Sequence, residues 1–273
     1  MSSKINTYLS KFRVDKTLDK ADKIYTNAGL GKNMGSYNIP VQKRGELFDL
    51  IAQYMFKDNI SITEINEPNT NIKIDIDFKY TNKDQIDDHF IRVFDDNFMK
   101  NIVKNYNNSI IKFLSIDDNM DYLQAFVMTR DYPYMDKNGN VKDGIHIVYP
   151  FIICDYKIQE LIRLDALNSC KLLVDTLEGI VPENISKIID PKVIQDSGWF
   201  LYGCSKPMTE PYKINMIIDH EINELENSYS NRELIELLSV RNHNEDEYLH
   251  LREDRYVDLD EYKLTKIKKA RAK

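Results

Sequence analysis

The sequence predicts an α+β fold, antiparallel or mixed sheets flanked by helices, and three observations carry that prediction. Lys73-Ile74-Asp75-Ile76-Asp77-Phe78 alternates apolar and charged residues with the period of two that a half-buried strand requires. Segments 43–56, 85–106 and 156–177 place apolar residues at helical spacing. Asp136-Lys137-Asn138-Gly139-Asn140 is a turn cluster, and a β-branched and aromatic run follows it at 145–149.

Taken in order, residues 1–34 are polar and end in Gly29, Gly31 and Gly35, which reads as an irregular N-terminal extension. The 43–56 helix buries Leu47, Ile51, Tyr54 and Met55; the 85–106 helix buries Phe90, Val93, Phe94, Met99 and Val103. A strand is predicted over 123–128, and the 136–140 turn makes a hairpin with the strand after it. Arg130, just past the first of these strands, reads as a surface arginine beside a turn, with template or triphosphate as its other use. Residues 199–202 form an aromatic strand. From Asn215 the pattern changes to two helices, 217–225 and 232–240, the second capped within Ser230-Asn231-Arg232-Glu233, and then to a charged region.

Composition allows a sizeable core: 273 residues, 42% of them hydrophobic. No apolar run approaches the length of a membrane span, and Met1-Ser2-Ser3-Lys4 leads into no apolar signal segment, so a soluble intracellular protein is expected. Cys154, Cys170 and Cys204 are scattered, without the C-x2-C spacing of a zinc site; reduced thiols and no zinc are expected. The net charge is −7, yet the last twelve residues hold six basic side chains (Lys263, Lys266, Lys268, Lys269, Arg271, Lys273) and no acid. The rest of the chain therefore stands at −13, which argues against tight nonspecific nucleic-acid binding outside local basic positions. Most of the 17 tyrosines read as core packing, and neither Trp199 nor Tyr202 is assigned to base stacking.

Three segments carry chemistry. Asp75 and Asp77, two apart on one strand, lie about 7 Å apart at Cα and can share metal ions. Alternating aspartate is also ordinary on a solvated edge strand, and the pair alone does not separate the two readings. Lys142-Asp143-Gly144-Ile145-His146-Ile147-Val148-Tyr149 puts Ile145, Ile147 and Tyr149 on one face and His146 on the other, free to face the aspartates. Ile188-Ile189-Asp190-Pro191 supplies a third acid, and the strand after it ends in Gly203-Cys204-Ser205-Lys206, a small-residue loop with a lysine that suits phosphate.

In that order and at those separations, these segments resemble the archaeo-eukaryotic primase and primase-polymerase superfamily. Within it they resemble the N-terminal primase domain of D5-like primase-helicases of nucleocytoplasmic large DNA viruses. Gly35-Ser36-Tyr37-Asn38-Ile39-Pro40 is similar to a segment of those viral proteins, and the resemblance covers roughly residues 35 to 240. It implies an RRM-like catalytic sheet packed with a second α/β unit. The primase catalytic domain would be residues 1–215, and a helical C-terminal segment with a basic linker, residues 216–273, would lead to a helicase in a longer protein.

Carried over by position, the resemblance implies metal-binding, catalytic carboxylates at Asp75, Asp77 and Asp190 and nucleotide contacts at His146, Lys142, Gly144, Ser205 and Lys206. Many relatives have serine two residues before the histidine; Gly144 stands there, so a backbone contact must replace the hydroxyl. The implied activity is DNA primase: two Mg²⁺ or Mn²⁺ ions, nucleoside triphosphates, a single-stranded DNA template and a fused or associated superfamily 3 helicase, without membrane involvement. If the chain is viral, the host cytoplasm or a viral replication factory is implied. Two alternatives remain open, a catalytically degenerate primase-like domain that binds DNA or docks a helicase, and a DxD sugar-nucleotide transferase.

Overall fold

The computed structural model describes residues 2–15, 24–81, 83–116, 119–180, 184–241, 243–244 and 247–271, with side chains described from 4 to 263 within those stretches. The basic side chains expected at 266, 268, 269, 271 and 273 lie outside the described ones.

The chain opens with α1 (Ser2–Ser10), β1 (Asn27–Gly29), β2 (Gly35–Tyr37), α2 (Val41–Tyr54) and β3 (Ile62–Glu64). The expected irregular start is thus corrected: Ile5, Tyr8 and Leu9 recur at helical spacing and are buried, a short stripe that polar neighbours hid. After β4 (Asn69–Tyr80), the strands β5 (Gln85–Ile86) and β6 (His89–Phe90) form a hairpin where helix was expected. Asp87 and Asp88 at its tip have φ of 51° and 65°, the positive pair that a tight I′-type connection demands and aspartate tolerates. Helix α3 (Asp96–Phe113) starts only where the Asp95 side chain accepts from the Phe98 amide at 2.8 Å.

Strands β7 (Ala125–Thr129), β8 (Tyr134–Met135) and β9 (Val141–Asp155) follow, then α4 (Tyr156–Val174) and α5 (Ile185–Ile188), β10 (Trp199–Phe200), β11 (Lys213–Ile218) and β12 (Glu224–Leu225). The helix expected at 217–225 is instead the β11–β12 hairpin, and the expected domain boundary at 215 falls within β11. Met216, Ile217 and Ile218 are consecutive and all buried, as in a strand covered on both faces. Asp219 turns the chain by accepting from the Glu221 and Asn223 amides at 2.9 and 2.8 Å. Helix α6 (Asn231–Leu237) carries the Ser230–Glu233 capping box, and α7 (Tyr256–Arg271) ends the described chain.

Among the described residues the strands form a six-stranded antiparallel sheet in the order β12-β11-β7-β9-β4, with β8 on β9, and a four-stranded sheet in the order β10-β3-β1-β2. Helices α3 and α4 cover one face of the larger sheet, over a core that holds Ile74, Ile76, Ile145 and Ile147. Its other face contributes Phe126, Met128, Val148 and Ile217 to a second core shared with α1, α2, α6 and the smaller sheet. The fold is the α+β arrangement expected, and the acid-bearing face of β4 looks toward the smaller sheet. Among the described residues no helix is long and apolar enough to cross a membrane.

Lys73 continues that face inward and is 2% exposed, its Nζ donating to Thr70 Oγ1 at 2.9 Å. Burial pushes its pKa down to about 7, against the pull of Cys154 and Glu64. The unfolded lysine keeps its proton to about 10, so the native state binds fewer protons between pH 7 and 10 and stability rises with pH across that window. Lys73→Met is expected to stabilise the fold by about 1–4 kcal/mol at pH 6, with the gain fading toward pH 10. Thermal melts of both proteins across this range check it; a gain independent of pH would contradict the assignment.

Candidate active site

The register of β4 with β9 sets Asp75 opposite His146, Asp77 opposite Gly144 and Lys79 opposite Lys142, all on one face. The third acid comes from far along the chain. After α5 the backbone runs beside β4, with Ile189 bridged to Ile76 and the Asp190 amide donating to the Asp75 carbonyl at 2.9 Å. One cleft of about 180 Å³ is lined by Asp75, Asp77, Asp190, His146, Arg130 and Lys206, among others.

The two strand aspartates are driven apart in acidity. Burial alone would raise Asp75, but the adjacent His146 imidazole, with Lys206 and Arg130 beyond it, outweighs burial and holds that carboxyl low. Asp77 is pushed up by the desolvation of the cleft and by the Asp75 charge, against the opposing pull of His146, Lys206 and Arg130. Asp75 Oδ1 is 3.2 Å from His146 Nε2, yet it is buried and receives no well-directed hydrogen bond. The two groups are in close contact without the geometry of a well-formed hydrogen bond.

His146 is clamped by rings. Tyr212 stacks on it at 3.6 Å and 17°, and Trp199 lies against it at 4.5 Å and 35°. Arg130 holds Tyr212 in turn: Nη1 donates to the tyrosine oxygen at 2.8 Å, and the guanidinium lies 4.0 Å from the ring centroid. Expected at the surface, Arg130 is instead 9% exposed, because its Nε donates to the Glu210 carbonyl and its own carbonyl accepts from Arg92 at 2.6 Å. Arg92 is fixed by the buried Asp143 at 2.7 Å.

Residues 26–218 match the family model described as the C962R protein N-terminal AEP domain. The chain belongs to the archaeo-eukaryotic primase (AEP) family. It is also 30% identical over 175 residues to a protein of Acanthamoeba polyphaga mimivirus named "Putative helicase L207/L206". That alignment covers 63% of this chain and 17% of the mimivirus protein, so the chain matches only a small part of that relative's length. AEP proteins are in general nucleotidyltransferases and typically use divalent metal ions.

The donor set of this AEP domain suits such an ion. Asp75 offers a buried oxygen without a hydrogen bond, Asp77 stands two residues along the same strand face, and hard carboxylate oxygens favour Mg²⁺ or Mn²⁺. The arrangement is not a closed ligand cage: among the described residues no three His, Cys, Asp or Glu side chains form a ready metal-binding group. Asp190 Oδ1 accepts from the Lys192 amide at 3.0 Å, capping the turn that follows it.

The remaining expected residues divide. Lys206 is exposed at the cleft, whereas Lys142 faces a neighbouring groove of about 150 Å³ that shares Asp77 with the cleft and also holds Lys79 and Lys187. Ser205, expected to contact nucleotide, lines the cleft but has its donors engaged within its own loop. Its hydroxyl donates to the Thr209 carbonyl at 2.6 Å and its amide to the Ile60 carbonyl at 2.9 Å, which leaves neither group for a phosphate.

Gly144 is required by space. A Cβ there would lie 2.5 Å from the Tyr212 hydroxyl and 2.8 Å from the Ile76 carbonyl. The expected outcome of Gly144→Ala is a loss of about 1–3 kcal/mol together with displacement of Tyr212 from His146. Denaturant unfolding and the His146 imidazole resonance measure both parts; a variant with wild-type stability and resonance would show that the strand has room.

Proposed function

We propose that this chain is the catalytic part of a DNA primase that makes primers on single-stranded DNA for replication, by template-directed nucleotidyl transfer with two divalent ions. The observation that carries the reading is the convergence of Asp75, Asp77, Asp190 and His146, three distant stretches of chain, in one cleft of an AEP fold. Bound Mg²⁺ or Mn²⁺ would stabilise the attacking 3′-oxygen and the departing pyrophosphate.

In the reaction, the bond from the 3′-oxygen to the α-phosphorus forms as the bond to pyrophosphate breaks and the hydroxyl proton is lost. Asp75, whose carboxyl its neighbours hold low, and Asp77 beside it would hold the ions, and Asp190 would complete the site toward the attacking hydroxyl. His146, held by Tyr212 and Trp199, meets the incoming triphosphate with Lys206, and Lys142 meets it from the adjoining groove. At Gly144 only the backbone can serve. The mimivirus relative's name supports a fused or associated helicase as partner, reached through the segment after residue 215.

Primer synthesis on a single-stranded template, with ribo- or deoxyribonucleotide pools and either metal, tests the reading against sugar nucleotides as alternative substrates. Lys206→Ala is expected to weaken apparent nucleotide affinity about tenfold with a smaller effect on template binding; an unchanged affinity removes Lys206 from the site. A second reading, an AEP domain that binds DNA without catalysis, is favoured by the absence of a closed ligand group among the described residues. Template binding without synthesis under every metal and nucleotide would select it.

A further inference from the structure

Two backbone positions at the lip of the cleft suit glycine, and both carry large apolar side chains. Phe56 lies one residue beyond Met55, the C-cap of α2, with φ 61°, and the Lys57 and Asp58 amides donate back to the Tyr54 carbonyl. Glycine is the usual residue at such a helix end, and a bulky residue there is strained. Met208 is the third residue of the turn Lys206-Pro207-Met208-Thr209, closed by the Thr209 amide on the Lys206 carbonyl at 3.1 Å, and its φ is 63°. That turn position also favours glycine. Strain retained at two such positions points to a use for the side chains rather than for the backbone.

Both side chains face outward, Phe56 40% and Met208 98% exposed. The Asn59 amide ties their loops together, donating to Ser205 Oγ at 3.2 Å and to the Thr209 carbonyl at 3.1 Å. The Phe56 ring stands edge-on to Tyr202 at 5.9 Å and 83°, and Tyr202 lines the cleft, so the exposed ring packs on the outside of the cleft wall. Lysines sit on the same loops. Lys57 and Lys206 are exposed, and Lys213 Nζ, paired with Asp131, lies 5.6 Å from the centre of the Phe56 ring. An exposed ring edged with ammonium groups, in a chain that is acidic elsewhere, is complementary to a strand with flat bases and a charged backbone.

We propose that Phe56, with Met208 on the adjoining loop, is a stacking platform for the bases of a single-stranded nucleic acid at the cleft mouth, with Lys57 and Lys213 meeting its phosphates. The proposal rests on the primase reading for where that strand leads. The binding itself needs neither metal nor nucleotide, so failure of catalysis and failure of stacking are read separately.

The test measures fluorescence anisotropy of a short labelled single-stranded oligodeoxynucleotide, and of the same oligonucleotide with abasic sites, without divalent ions. Wild type, Phe56→Gly and Phe56→Trp are compared. Phe56→Gly is expected to weaken binding to the intact strand about 5- to 100-fold while melting at or above the wild-type temperature, because glycine relieves the strained φ. Phe56→Trp is expected to bind as wild type. The abasic strand is expected to bind weakly and alike to wild type and Phe56→Gly. Wild-type affinity in a folded Phe56→Gly protein overturns the proposal, as does an equal loss on intact and abasic strands. Should the glycine variant fail to fold, a wild-type protein that binds both strands equally overturns it.

Discussion

Asp75→Asn is expected to lower primer synthesis about a thousandfold or more while the protein stays folded. The carboxylate is the member of the strand pair whose pKa its neighbours hold low, and loss of an oriented metal ligand removes several kcal/mol of transition-state stabilisation, with each 1.36 kcal/mol worth a factor of ten. The fold should tolerate the change, because Asp75 Oδ1 receives no well-directed hydrogen bond and asparagine keeps the volume. Removing that charge also relieves the repulsion on Asp77, so the Asp77 carboxyl should titrate at lower pH in the variant. Single-turnover synthesis beside a thermal melt measures both consequences. Near wild-type rates from a folded Asp75→Asn protein would remove the aspartate pair from the chemistry.

Arg130→Met carries the second large effect. Its guanidinium supports the Tyr212 hydroxyl and the Glu210 carbonyl, and its charge helps to hold both strand carboxyls down. Methionine keeps much of the packing but leaves both acceptors without their donor, a cost of about 1–3 kcal/mol in stability. With Tyr212 loosened, His146 loses one side of its clamp, and synthesis is expected to fall about 10- to 100-fold, mostly through weaker nucleotide binding. Arg130→Lys should not restore it, since an ammonium cannot make the divergent contacts of a planar guanidinium. Steady-state kinetics of both variants decide; an effect on stability with unchanged KM would confine Arg130 to a structural role.

The residues that lie on regular strands were the ones legible in the sequence. Alternation alone separated Asp75 and Asp77 from Ile74, Ile76 and Phe78, and likewise His146 from Ile145 and Ile147, because a strand's period fixes the face of each residue. Asp190 stands out in the sequence only as an acid after an apolar pair; its place beside Asp75 depends on a long-range bridge of Ile189 to Ile76. Arg130 and Tyr212 escaped for the same reason: each follows or precedes a strand whose pairing is nonlocal, although Phe126, Met128 and Arg130 share the alternation that faces His146. Residues 217–225 do not show their hairpin in the sequence, because a strand buried on both faces has no alternation and its apolar run reads equally as helix. The hairpin at 85–90 is likewise hidden, since the two aspartates at positive φ break what composition alone presents as one amphipathic stretch.

The central claim, that Asp75, Asp77 and Asp190 together hold divalent ions, is tested most directly by Mn²⁺ binding followed by electron paramagnetic resonance, with a non-hydrolysable nucleoside triphosphate present. The account predicts two bound ions per chain in the wild-type protein and clear weakening in both Asp75→Asn and Asp190→Asn. Mn²⁺ binding that neither substitution alters would contradict it.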